Sequence, residues 1–157
     1  MLFRSGAEIF YTTDGSEPTL ESKSGNGLSI TESAVVKAVA YKDGQRLGYI
    51  EQYFVVSYAT GRYVEYRNKY SPKYDAGLKN GLVDGILASS DFKDGKWQGF
   101  EGDNLDVTIN LKMLREISEV DLRFLENHAS WIFLPEDIQI LWSADRKSTR
   151  LNSSHRL

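Results

Sequence analysis

The chain has 157 residues, 41% of them hydrophobic and 12% aromatic, with 22 acidic against 19 basic side chains. That is the composition of a folded chain rather than a disordered one, and the surplus of stiff, half-polar rings favours β structure and ligand-stacking surfaces. With no cysteine there is no disulfide, thiolate zinc site or cysteine nucleophile; no apolar run approaches the ~18–20 residues of a membrane helix, and no signal peptide is visible.

In chain order, "AEIFYTT" (residues 7–13) reads as a short strand of β-branched and aromatic residues. "YTTDGSEPT" (11–19) follows, with Asp14 and Glu17 three residues apart beside hydroxyls. Such a pair invites an acid–base reading. However, Asp14-Gly15 is a turn dipeptide, Pro18 disfavours helix at Glu17, and an Asp can bond its own downstream amides without a substrate. "SAVVKAVAYKDGQRLGYIEQYFVV" (33–56) predicts a hairpin. Its first arm puts Ala34, Val36, Ala38 and Ala40 on one face and Val35, Lys37, Val39 and Tyr41 on the other, with Asp43-Gly44 at the turn. About three strands are thus expected before "SYATGRY" (57–63), close to the minimum for an independently stable sheet.

Beyond that joint, "RYVEYRNKYSPKYDAGLKNGLVDG" (62–85) reads as a strand and a long turn-rich loop. Arg62, Arg67, Lys69 and Lys73 alternate there with four tyrosines. Rings and cations in that mixture suit single-stranded nucleic acid, but the acidic balance favours a charged strand surface and no nucleic-acid partner. "NLDVTINL" (104–111) is the clearest strand: Leu105, Val107, Ile109 and Leu111 alternate with Asp106, Thr108 and Asn110. "ISEVDLRFL" (117–125) and "EDIQILW" (136–142) are predicted as further strands, and Trp142 as a core residue. The fold class read from these elements is all-β.

Hydrophobic alternation stops at Trp142, and residues 146–157 carry four basic side chains and no acid. Residues 145–155 are what one reading frame of a common sequencing-adapter oligonucleotide encodes, so 146–157 is read as a non-native tail. Without its four basic residues, 15 basic side chains stand against 22 acidic, a net charge of −7 rather than −3.

Chemistry-bearing patterns are sparse. His128 is the sole histidine before the tail, which leaves little material for a metal pair or a Ser-His-Asp relay. No P-loop or dinucleotide fingerprint occurs. The residues support no catalytic site. Trp97, Phe100 and Trp131 fall on or beside predicted loops near Gln98, Asn127 and His128, and are candidates for sugar binding through aromatic faces and flanking hydrogen bonds. The competing reading of Trp97 and Trp131 is packing, since Trp is highly buried on average.

Residues 11–19 together with "ITESAVVKAVAYKDGQRLG" (30–48) resemble the signature of the chitobiase/β-hexosaminidase C-terminal domain, an immunoglobulin-like module of bacterial glycoside hydrolases. "YSPKYDAGLKNGLVDGILASSDFKDGKWQGFEG" (70–102), "LDVTINL" and "SWIFLPEDIQIL" (130–141) resemble the discoidin-like, galactose-binding-like domain that follows it in hexosaminidases of Bacteroidetes. The resemblance implies a partial immunoglobulin-like sandwich over 1–58 and a truncated discoidin-like jelly roll over 59–145. It also implies a parent glycoside hydrolase family 20 β-N-acetylhexosaminidase, periplasmic or secreted, whose catalytic barrel lies elsewhere; that family uses the substrate's own acetamido group with an Asp-Glu pair, which nothing here matches. The expected role is non-catalytic: binding N-acetylhexosamine-containing glycans or positioning the catalytic domain, with a structural spacer or a protein-binding adhesin as alternatives. Relatives of the second domain often hold a structural calcium through an Asp in such a loop, backbone carbonyls and a downstream hydroxyl, for which Asp84 is the candidate and Ser90 a further one; an ordinary Asp-Gly turn is the preferred reading of Asp84. No membrane partner is expected.

Overall fold

The computed structural model describes residues 6–145 and the backbone of 150–156. The protein is all-β, with eight strands in antiparallel sheets and only two short 3-10 turns among the described residues. It divides into two compact units, Met1–Asn110 and Leu111–Leu157.

The first unit is built on a four-stranded sheet of order β2-β1-β3-β4, formed by β1 (Glu8–Thr12), β2 (Lys23–Ser24), β3 (Ala34–Lys42) and β4 (Gln45–Phe54). The hairpin of β3 and β4 turns where the sequence places it. Asp43 (φ 50°) and Gly44 (φ 77°) both take the left-handed region that a two-residue type I′ turn needs. The pairing shifts by one residue between Ala40↔Gly48 and Tyr41↔Arg46, leaving Leu47 as the bulge residue. The two-residue β2 has no hydrophobic alternation, which is why the sequence yields three strands here and the structure four.

Register fixes the two faces of this sheet. Ile9 lies opposite Ala40 and Tyr11 opposite Ala38, while Ala38 meets Ile50 across β4. Val36, Ala38 and Ala40 are buried on this face, Ala40 with no exposed surface. An open groove of about 580 Å3 runs along it beneath residues 25–28. The opposite face carries the Phe10–Val39–Tyr49 row, with Phe10 edge-on to Tyr41 and Arg46 over the Tyr49 ring. Val39 is buried there to 2% exposure.

The chain passes residues 58–59, the boundary read from the sequence, inside the first unit. Residues 85–87 lie along the end of β4: the Val55 N–H donates to the Gly85 carbonyl (2.8 Å), the Leu87 N–H to the Tyr53 carbonyl (3.1 Å), and Gly61 to Val83 (2.7 Å). This seam covers an edge that would otherwise present unpaired backbone groups. Gly85 is the tight point. With φ at 80°, a Cβ there would sit 2.7 Å from the Val55 carbonyl oxygen, so only glycine fits without displacement. A second ladder pairs β5 (Val64–Tyr66) with β6 (Val107–Ile109), tied further by Arg67 to Asp106 at 2.9 Å. The strand predicted over 104–111 is thus shortened to three residues, because β5 offers only that many partners.

In the second unit, β7 (Asp137–Trp142) pairs with β8 (Arg150–Arg156). The strand predicted over 117–125 does not form: those residues have no ladder partner among the described residues, so their polar backbone groups stay out of a sheet. Trp142, expected in a core, is exposed. Of the segment read as a non-native tail, residues 146–149 and 157 lie outside the described residues.

Candidate carbohydrate-binding surface

The stretch at 11–19 is a turn in the structure. The Asp14 carboxylate accepts from the Ser16 N–H (3.0 Å) and the Ser16 hydroxyl (2.6 Å), which hold its pKa below the usual range. Gly15 donates to the Val35 carbonyl and docks the turn on β3. Glu17 instead accepts from the Lys37 ammonium at 2.6 Å, and the Tyr49 hydroxyl reaches both Glu17 (3.4 Å) and Glu51 (3.2 Å). The hydrogen bond to Lys37 lowers the Glu17 pKa and raises that of Lys37. Each carboxylate has a structural task, and the pair is no acid–base couple.

The sequence-derived sugar candidates separate between the two units. Trp97 is half-buried and its indole N–H donates to the Ser89 carbonyl (2.8 Å), so the ring braces its own loop. That loop is closed by Asp94, which accepts from the Ser89 N–H, the Ser89 hydroxyl and the Lys96 N–H. Burial pushes the Asp94 carboxyl up, but these bonds outweigh it and leave it below the ordinary range. Phe100 is also half-buried. Gln98 is a staple: its amide oxygen accepts from the Tyr66 hydroxyl (2.9 Å) and its amide nitrogen donates to the Asp75 and Leu78 carbonyls.

Trp131, in the second unit, is displayed. Asn127 and Ile132 exchange backbone hydrogen bonds of 2.9 and 3.0 Å, closing a tight loop around the 3-10 turn His128–Ser130. The Asn127 side chain caps that turn by accepting from the Ser130 N–H (3.1 Å), and the Trp131 N–H donates to the His128 carbonyl. This closure forces Trp131 to φ 58°, ψ 34°, a conformation that costs a non-glycine residue about 1–2 kcal/mol. Trp131 is 84% exposed. Phe133 stands edge-on to it at 6.2 Å and tilts over His128 at 5.4 Å, while the His128 Nε2 meets the Glu126 carboxylate at 2.8 Å. An open indole, a second exposed ring and a carboxylate–imidazole pair are therefore neighbours. Phe133 and Glu126 are absent from the sequence-derived set, and only their spacing around the His128–Trp131 loop could have signalled them.

Asp84 sits at the turn before the seam, its Oδ1 accepting from the Ile86 N–H at 2.8 Å. Burial raises its pKa against that hydrogen bond. No group of three His, Cys, Asp or Glu gathers to hold a metal among the described residues. Calcium takes six to eight oxygens, so Asp84 and exposed Ser90 supply too few side-chain ligands by themselves.

A family comparison bears on the first part of this geometry. Residues 2–50 match the model of the chitobiase/beta-hexosaminidase C-terminal domain. The match spans β1 to most of β4, including the turn at 11–19 and the hairpin. No curated protein matches the chain. The matched domain is an accessory part of hexosaminidases and not the catalytic one, in accord with the structural tasks of Asp14 and Glu17.

Proposed function

We propose that the chain is a non-catalytic accessory region of a β-N-acetylhexosaminidase and that it holds N-acetylhexosamine-containing glycans near the catalytic domain of that enzyme. The observation that carries the sugar-binding half is Trp131, 84% exposed on a loop that spends backbone energy to display it. A flat indole face suits the apolar C–H face of a pyranose, and the Glu126–His128 pair offers hydrogen bonds to ring hydroxyls and the acetamido group. The discoidin-like reading of residues 59–145, and a periplasmic or secreted parent, belong to this proposal.

Titration with N,N′-diacetylchitobiose, followed by tryptophan fluorescence and amide chemical shifts, tests it. Trp131→Ala should weaken binding at least about tenfold, as loss of an aromatic anchor does. Trp131→Gly should do the same while stabilising its loop by up to about 1 kcal/mol, because glycine accepts the positive φ. Unchanged affinity in both variants overturns the site. A spacer that packs against the catalytic barrel is the second reading, favoured by the exposed Met113, Leu114 and Ile117; no response of the unaltered chain to the disaccharide would select it.

A further inference from the structure

A second aromatic surface lies in the first unit. Tyr63, Tyr66 and Tyr70 line a groove of about 390 Å3 together with Glu65, Lys69 and Lys79, within the ~300–1,000 Å3 range of small-ligand sites. Its floor is fixed. Tyr66 and Tyr70 meet edge to face at 5.1 Å, and the Tyr66 hydroxyl reaches the Gln98 amide oxygen (2.9 Å) and the Lys79 carbonyl (3.2 Å). Its rim is placed by a loop with three successive left-handed residues, Ala76 (φ 44°), Gly77 (φ 77°) and Leu78 (φ 79°), directly before Lys79. Tyr63 is exposed, and so are both lysines, neither of which is paired with a carboxylate among the described residues. Arg67, another cation of this stretch, is paired with Asp106 at 2.9 Å and does not line the groove.

We infer that this groove binds an acidic saccharide, a pyranose bearing a sulfate or a carboxylate, with the ring against the tyrosines and the anion between Lys69 and Lys79. Two unpaired cations beside aromatic faces call for a ligand that is flat and apolar on one side and negative on another. Glu65 in the same groove supplies an acceptor for sugar hydroxyls. The groove lining holds two cations, Lys69 and Lys79, too short a run to follow a nucleic-acid backbone.

Amide chemical shifts of the full chain, titrated with N-acetylglucosamine 6-sulfate, glucuronic acid, neutral N-acetylglucosamine and oligothymidylate, decide the matter. The sulfated sugar, the uronate or both should shift residues 63–70 and 79 saturably, with the neutral sugar at least several-fold weaker; which of the two acids binds identifies the anion. Lys69→Gln and Lys79→Gln, both exposed substitutions, should each weaken binding about two- to fivefold, as exposed ion pairs of up to ~1 kcal/mol do, and added salt should do likewise. Tyr63→Ala should weaken it too, whereas Trp131→Ala should leave it unchanged, which separates this groove from the Trp131 surface. Equal affinity for the neutral sugar, no response to either acid, unaltered binding in both lysine variants, or tighter binding of oligothymidylate would each overturn the inference.

Discussion

The two units use the same kinds of side chain to different ends. In the first, Val36, Ala38, Val39, Ala40 and Val64 are buried on paired strands, and Glu17, Glu51 and the half-buried Lys37 hold a turn against the strand face. In the second, none of the described residues from 111 to 145 is buried, and Leu114, Trp131, Phe133 and Trp142 face outward. Since stability tracks the apolar surface removed from water, the first unit holds its own shape through the sheet, whereas the second relies on one hairpin ladder and local loop bonds. The difference teaches where ligands should be sought: on rings that the fold has not already enlisted.

The sharpest way to break this contrast is to place one charge in each unit. Val39→Asp would set an unpaired carboxylate at a site 2% exposed and should cost about 4 kcal/mol or more, unfolding the sheet. Leu114→Asp, at 78% exposure, should move stability by no more than about 0.5 kcal/mol. Urea denaturation read by far-ultraviolet circular dichroism checks both. Comparable losses would mean that the second unit hides a core.

A smaller effect tests whether the seam belongs to the first unit's stability. Gly85→Ala demands a Cβ 2.7 Å from the Val55 carbonyl at a positive φ. The strain should cost about 2–3 kcal/mol and speed hydrogen exchange at Val55 and Leu87, whose N–H groups bond across the seam. Protection at those two amides equal to that of the unaltered chain would show the seam to be a loose contact.

The same contrast explains what could be read in advance. Alternation through residues 34–42 and the Asp43-Gly44 dipeptide set the hairpin and its faces, because both signals are local. The shortening of the strand at 104–111 and the absence of one over 117–125 depend on whether a partner strand lies alongside, which no local pattern records. Trp97 and Trp131 read alike as loop tryptophans; only the Ser89 carbonyl that takes one indole, and the Asn127–Ile132 closure that expels the other, tell them apart. The Tyr63–Lys79 groove was half legible: the interleaved tyrosines and lysines stand in the sequence, but Lys79 joins them only through the left-handed run at residues 76–78.

The smallest effect concerns the Glu17–Lys37 pair on the sheet. Glu17 titrates below its ordinary range because Lys37 donates to it, so the charged pair favours the fold above about pH 4 and loses that contribution as pH falls through the lowered Glu17 value. The raised Lys37 pKa gives the opposite limb: its share is present below about pH 10 and is lost as pH rises past the folded value. Glu17→Gln should therefore flatten part of the acid limb of a melting-temperature profile while changing stability near pH 7 only slightly, since the Glu17 side chain is largely exposed and solvent screens the pair. The acid limb should not vanish, because Asp14 and Asp94 also titrate low through bonds from Ser16 and from Ser89 and Lys96. A profile in Glu17→Gln that superimposes on the original between pH 3 and pH 5 would show that the Glu17–Lys37 contact carries no folding energy.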